Sequence, residues 1–138
     1  MQVVIVWWLW MVVIGIAALP LAYRFFRHLP DRGYAFARPL GLLLTSYLLW
    51  LGASLGILRN NMCGSLLSLM LVAGSSLIVY HRGRKPGTPG LIVWLRSNVN
   101  VVLSVELLFA GAFALWTLIS AYSPDLTTAG GEKFMEIM

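Results

Sequence analysis

Charge is what this sequence has least of. Only 11% of its 138 residues are charged, and just five are acids: Asp31, Glu106, Asp125, Glu132 and Glu136. A soluble domain carries about a quarter charged residues. Against that scarcity stand 59% hydrophobic residues and a mean hydropathy of +0.83. Too little polar surface is present to coat a globule in water, so the expected solvent is the lipid bilayer and the expected class is an all-α integral membrane protein. Cysteine is nearly absent as well. Cys63 stands alone, which excludes an intrachain disulfide and a cysteine-cluster metal site. The two histidines, His28 and His81, lie far apart beside arginines. They read as interfacial residues, because a zinc or haem site needs more convergent donors.

What the chain does have is long apolar runs, and a spanning helix needs about 20 such residues. Four are expected, at roughly 3–23, 39–58, 64–80 and 99–122. The first lacks a basic leader and a small-residue cleavage site followed by polar sequence, so it reads as a retained helix. Pro20 is expected to bend or end it. Pro39 suits the first turn of the second helix, where its missing N–H loses nothing. LIVWLRSN at 91–98 is expected to lie in the interface ahead of the fourth span.

The basic residues sit between these runs. Arg24, Arg27, Arg32 and Arg38 fall in the first connection; Arg82, Arg84, Lys85 and Arg96 surround the third; Arg59 is alone in the second. A pI near 9.9 raises the question of nucleic acid, but these charges flank apolar runs and form no stripe with interleaved aromatics, so no nucleic-acid partner is expected. By the positive-inside rule, loops 24–38 and 81–96 face the cytoplasm, and four crossings leave both termini outside. The expectation is therefore a multi-pass protein of the cytoplasmic (inner) membrane, N-out and C-out, with short loops and an extracytoplasmic acidic segment at 123–138. Trp7, Trp8 and Trp10, with Trp94 and Trp116, read as interfacial anchors.

Inside the membrane, small residues pattern two helices. Gly41, Thr45, Gly52 and Gly56 fall near one face of the second run, and Ser65, Ser68, Ser75 and Ser76 mark the third. Close helix packing is the expected use, with a pore or substrate groove as the alternative. Glu106 is the one acid within a span. A proton relay is one reading; a structural partner such as Arg38, or a neutral protonated carboxyl, is the expected one.

The tail SPDLTTAGGEKFMEIM holds three of the five acids. Pro124 ends the last span and Gly130-Gly131 supplies a joint. In a helix beyond that joint, Glu132 and Glu136 share a face at i and i+4, an arrangement suited to a general base or a divalent-cation site.

Three stretches carry a family likeness: LPDRGYAFARPLGLLLTSYLLWLGASLGIL at 29–58, VELLFAGAFALWTLISAYSPDL at 105–126 and GGEKFME at 130–136. Together they resemble the Chlor_Arch_YYY family, large multi-spanning membrane proteins with a domain of unknown function. The LPDRGYAF…RPLG string is the specific part. That family is itself grouped by resemblance with GT-C glycosyltransferases, which use polyprenyl-phosphate-linked sugars and keep catalytic acids in an extracytoplasmic loop at the membrane face. The tail is similar to the family's first outer acidic motif, an acid after Pro followed by E-K-P-M-E. The resemblance thus implies Asp125, Glu132, Lys133 and Glu136 as catalytic candidates. Phe134 departs from the family's Pro, and the family continues through further loops and helices, so the chain reads as an N-terminal portion, inactive alone.

The expected function is therefore the N-terminal membrane segment of a GT-C-like, polyprenyl-phosphate-sugar-dependent glycosyltransferase, with further helices of the full-length protein as partners. The alternative is a small non-catalytic integral membrane subunit packed in a larger membrane complex. A transporter ranks below both, for want of paired broken helices.

Overall fold

The computed structural model describes residues 2–83 and 90–122, and among these every regular element is helical. The order is α1 (Gln2–Phe25), α2 (Ala37–Ser54), α3 (Met62–Arg82), α4 (Leu91–Ser97) and α5 (Val99–Tyr122). Three of these, α1 from Val3 onward, α3 and α5, are long and apolar enough to cross a membrane. The all-helical membrane class therefore stands. The second run is shorter than expected: α2 has 18 residues with Arg38 in its first turn, a length of about 27 Å against a hydrocarbon core of about 30 Å. The chain divides into two compact units, Met1–Val105 and Glu106–Met138.

In the first unit, α1 packs on α2 and α3, and α2 packs on α3. Burying apolar surface gains nothing over lipid, so the contacts rely on small residues that bring backbones close. Gly15, Ala18, Ala22, Ala37 and Gly41 are all buried. A Cβ on Gly41 would lie 2.6 Å from the Ile14 carbonyl oxygen and 3.1 Å from Ala18 Cβ, so the α1–α2 approach is one that only glycine permits. On α3 the buried face is Gly64, Ser68, Val72 and Ser76, a strict four-residue spacing. The packing use of the serines thus holds for Ser68 and Ser76. Ser75 points away and bonds its hydroxyl to the Val72 carbonyl at 3.0 Å.

Of the two outcomes expected at Pro20, a bend or an end, the structure excludes the end: α1 continues to Phe25. A proline inside a helix removes its own N–H and pushes the preceding carbonyls aside, and neighbouring side chains can take up the groups it frees. Here the next amide, Leu21, donates to Ser76 Oγ of α3 at 2.9 Å. A side chain of the partner helix thus serves as an acceptor next to the proline.

The pairing expected of Gly52 and Gly56 is also corrected. Gly56 has φ +72, with nothing within 4 Å of its would-be Cβ. The amide of Ile57 donates to the Gly52 carbonyl at 2.9 Å and that of Gly56 to the Ala53 carbonyl at 3.0 Å. This is a Schellman cap, in which a left-handed residue turns the chain out of the helix. The two glycines stop α2 at Ser54 rather than dock it. Asn61 then opens α3, its side chain accepting from the Gly64 amide at 2.9 Å, as an N-cap should. With that cap α3 begins at Met62 and ends at Arg82, longer at both ends than 64–80. Pro39 does sit in the first turn of α2.

The link 26–36 is a chain of successive turns. Asp31–Tyr34 closes with the Tyr34 amide donating to the Asp31 carbonyl at 3.0 Å, and both central residues have positive φ, Arg32 at 47° and Gly33 at 78°. That is the backbone of a type I′ turn. The Asp31 carboxylate fixes it, Oδ1 accepting from the Gly33 amide at 3.2 Å and Oδ2 from the Ala35 amide at 3.1 Å. The PDRGYAF string therefore encodes a turn.

In the second unit the described residues are the continuation of α5 from Glu106. None of α5 is buried. Glu106, Phe109, Phe113 and Thr117 are half-buried while the other described residues of this unit are exposed. Phe109 and Phe113 stack with ring centroids 6.1 Å apart, and Thr117 Oγ1 donates to the Phe113 carbonyl at 2.8 Å.

Candidate functional site

Two features of the first unit combine chemistry with access, one at each end of the three-helix packing. The first is an aromatic cluster at the arginine-bearing end. Tyr23, near the end of α1, is buried, with Tyr80 of α3 edge-on at 6.4 Å and Trp94 of α4 edge-on at 5.7 Å. The Tyr80 hydroxyl accepts the Leu91 amide at 2.9 Å, which supplies a partner for the first turn of α4. The Arg32 guanidinium lies over the Tyr23 ring, 5.2 Å from its centroid, within cation–π range, and donates to the Tyr23 hydroxyl. One tyrosine thereby joins α1, α3, α4 and the 26–36 link. The expectation of Trp94 as an outward anchor is corrected: it is 6% exposed, and α4 shows Ile92, Val93 and Arg96 to the outside instead.

The second feature is an apolar groove of about 500 Å³ where the start of α1 meets α2 and the start of α3. Trp7, Trp10, Thr45, Met62, Ser65 and Leu69 are among its lining residues. The volume is in the range of pockets that take small organic ligands, roughly 300–1,000 Å³. Its polar features are few. Ser65 Oγ donates to the Asn61 carbonyl at 3.2 Å, whereas Thr45 Oγ1 is buried and has no hydrogen-bond partner. Thr45 was visible in the sequence as one of a small-residue face; its place beside a groove was not.

Asp125, Glu132, Lys133 and Glu136 lie outside the described residues, and so do Arg84 and Lys85. The divalent-cation expectation attaches to the same tail carboxylates and lies there too. Among the described residues no group of three or more His, Cys, Asp or Glu side chains gathers in a way that could hold a metal. The sequence reading missed Tyr23 and Tyr80. The available signal was an aromatic at the end of two neighbouring spans, each next to a basic residue.

Residues 44–138 match the family described as "Uncharacterized membrane protein (DUF2298)". That range covers well over half of the chain, and the chain belongs to this family of membrane proteins. No curated protein and no solved structure matches it.

Proposed function

We propose that this chain is the N-terminal membrane portion of a GT-C-like glycosyltransferase that draws on a polyprenyl-phosphate-linked sugar. The observation that carries this reading is the groove: an apolar trough of about 500 Å³, open among membrane-class helices and lined, beside Thr45 and Ser65, by apolar side chains, suits an isoprenoid chain. The family match supports it further by running through 123–138, so the acids of the tail fall within the family's shared region. With four crossings, α2 being the fourth spanning helix beside the three long ones, N-terminus and tail share the outer face of the inner membrane, and loops 24–38 and 81–96 face the cytoplasm.

In the chemistry proposed, Glu132 or Asp125 accepts the proton of the acceptor hydroxyl. The hydroxyl oxygen forms its bond to the anomeric carbon as the bond to the lipid phosphate breaks. The polyprenyl phosphate leaves with the electron pair, its charge offset by Lys133, and Glu136 is the second carboxylate of the motif. Native membranes carrying the gene at its own locus test this. Glu132→Gln or Asp125→Asn should reduce sugar transfer from a polyprenyl-phosphate donor by at least about 100-fold. Transfer that persists unchanged in both variants, and in a deletion of the gene, would sink the reading.

The second reading, a non-catalytic subunit within a larger membrane complex, is favoured by α5, whose 24 residues include none that are buried. Such a helix suits partner helices as well as lipid. Stable co-purification with other membrane chains, and transfer unaffected by the tail substitutions, would select it.

A further inference from the structure

We infer that the arginine-bearing end of the first unit is a recognition surface for anionic phospholipid headgroups, built from Arg27, Arg82 and Arg96. The proposal is independent of the glycosyltransferase reading.

The argument begins with an imbalance. Between Met1 and Val105 the sequence has nine basic residues, Arg24, Arg27, Arg32, Arg38, Arg59, Arg82, Arg84, Lys85 and Arg96, against the single acid Asp31. In the structure that acid is used by its own turn. Both of its oxygens accept backbone amides of its own turn, from Gly33 at 3.2 Å and Ala35 at 3.1 Å.

Three of the arginines are held by packing. Arg32 is committed to the ring and hydroxyl of Tyr23. The Arg24 guanidinium occupies the space a side chain on Gly83 would need, beside the end of α3, where carbonyls favour a cation. The Arg38 stem fills the space over Gly15, 2.7 Å from its would-be Cβ. Arg27, Arg82 and Arg96 are different, all three being exposed. Arg27 donates from Nε to His28 Nε2 at 3.2 Å, which leaves its two terminal nitrogens for another acceptor.

The same cluster that fixes Tyr23 brings these three to one end of the unit. Arg27 follows α1 within a turn, Arg82 ends α3, and Arg96 is two residues beyond Trp94, which is seated on Tyr23. Exposed apolar side chains accompany them: Phe25 at 74%, Ile92 at 67% and Val93 at 61% exposure. A short helix that shows Ile92, Val93 and Arg96 together has the character of an interfacial element, apolar residues in the acyl boundary and a cation at headgroup level. Guanidinium groups match phosphate oxygens in shape as well as charge. What complements exposed arginines and exposed apolar side chains at one end of the unit is a phosphate attached to an acyl chain, the headgroup of an anionic phospholipid.

The test uses the full chain, purified in mild detergent from mixed phosphatidylcholine and phosphatidylglycerol and read by native mass spectrometry for retained lipid. The expected result is preferential retention of phosphatidylglycerol, at least about tenfold over phosphatidylcholine, given the attraction of each arginine near an anionic surface. The triple variant Arg27→Gln, Arg82→Gln, Arg96→Gln should fall to parity. The corresponding triple lysine variant should keep most of the preference, and Arg59→Gln, at the other end of the helices, should keep all of it. If the triple glutamine variant fails to fold, each single variant should show a partial, several-fold loss. Equal retention of the two lipids by the unmodified chain would overturn the proposal, as would a preference that survives folded glutamine variants.

Discussion

The Leu21 amide and the Ser76 hydroxyl meet at 2.9 Å, one residue past a proline that stands inside a membrane helix. Ser76 has no exposed surface, so its oxygen could turn to no solvent if Leu21 were satisfied elsewhere. The two groups solve each other's problem: Pro20 disturbs the amide ladder of α1, and α3 contributes the acceptor. Ser76→Ala should therefore destabilise the helix packing by about 1 kcal/mol. The loss should shrink when Pro20→Ala restores the ladder, because the Leu21 amide regains an acceptor within α1. A double-mutant cycle read by detergent-induced unfolding measures that coupling. Equal loss in both backgrounds would show that Ser76 matters only for its volume.

This pair also marks the boundary of what hydropathy conveys. The positions of α1, α3 and α5 were legible because 20-odd apolar residues announce a span by length alone. The short α4 was legible because an apolar stretch with Arg96 and Asn98 is too brief to cross. Whether Pro20 stops a helix or only marks it depends on a serine 56 positions away, and nothing local to Pro20 encodes that serine. Gly52 and Gly56 misled for a related reason: the spacing of a packing motif is also the spacing of a capped helix end, and the sign of φ at Gly56 decides between them. Of the candidate sites, Thr45 was visible as a small residue but not as the wall of a groove. The Tyr23 cluster is assembled from α1, α3, α4 and a turn, so no single stretch displays it.

Gly41 and Gly74 offer a direct contrast between helical glycines. A side chain on Gly41 would strike the Ile14 carbonyl oxygen at 2.6 Å, a backbone atom of a packed helix, whereas one on Gly74 would meet nothing within 4 Å. Gly41→Ala should loosen α1 from α2 and lower stability by about 1–3 kcal/mol. Gly74→Ala should leave stability unchanged or raise it by up to about 1 kcal/mol, since alanine is the better helix former. Unfolding curves of the two variants in the same detergent decide the matter, and similar losses in both would contradict the packing described.

Asp31 is expected to act as a turn-former rather than as a counter-ion. Asp31→Asn keeps one side-chain oxygen able to accept from a turn amide, while Asp31→Ala keeps none. Alanine should cost about 1–2 kcal/mol, by analogy with losing a cap that holds backbone amides, and asparagine a good deal less. An ion-pair role would reverse the emphasis, making asparagine nearly as harmful as alanine. Thermal unfolding of both variants at two salt concentrations separates these cases, because exposed charge pairs weaken with salt and backbone amide bonds should not.

Gly33 and Gly56 both hold a positive φ, at 78° and 72°, yet they are not equivalent. At Gly33 a side chain faces two penalties: the left-handed backbone itself, and Phe26 Cβ standing 2.6 Å from the new carbon. At Gly56 only the backbone penalty applies, because the space beside it is open. Gly56→Ala should therefore cost about 1–2 kcal/mol, and Gly56→Asn less, since asparagine tolerates the left-handed region better than other residues. Gly33→Ala should exceed both, and Gly33→Asn should bring no rescue, because the clash remains. The larger consequence concerns position. Arg32 reaches Tyr23 only because the turn at Gly33 directs it there, so Gly33→Ala should also shift the near-ultraviolet aromatic signal of the Tyr23, Tyr80 and Trp94 cluster. A Gly33→Ala variant with wild-type stability and an unchanged aromatic signal would mean that the turn does not set the geometry of that end.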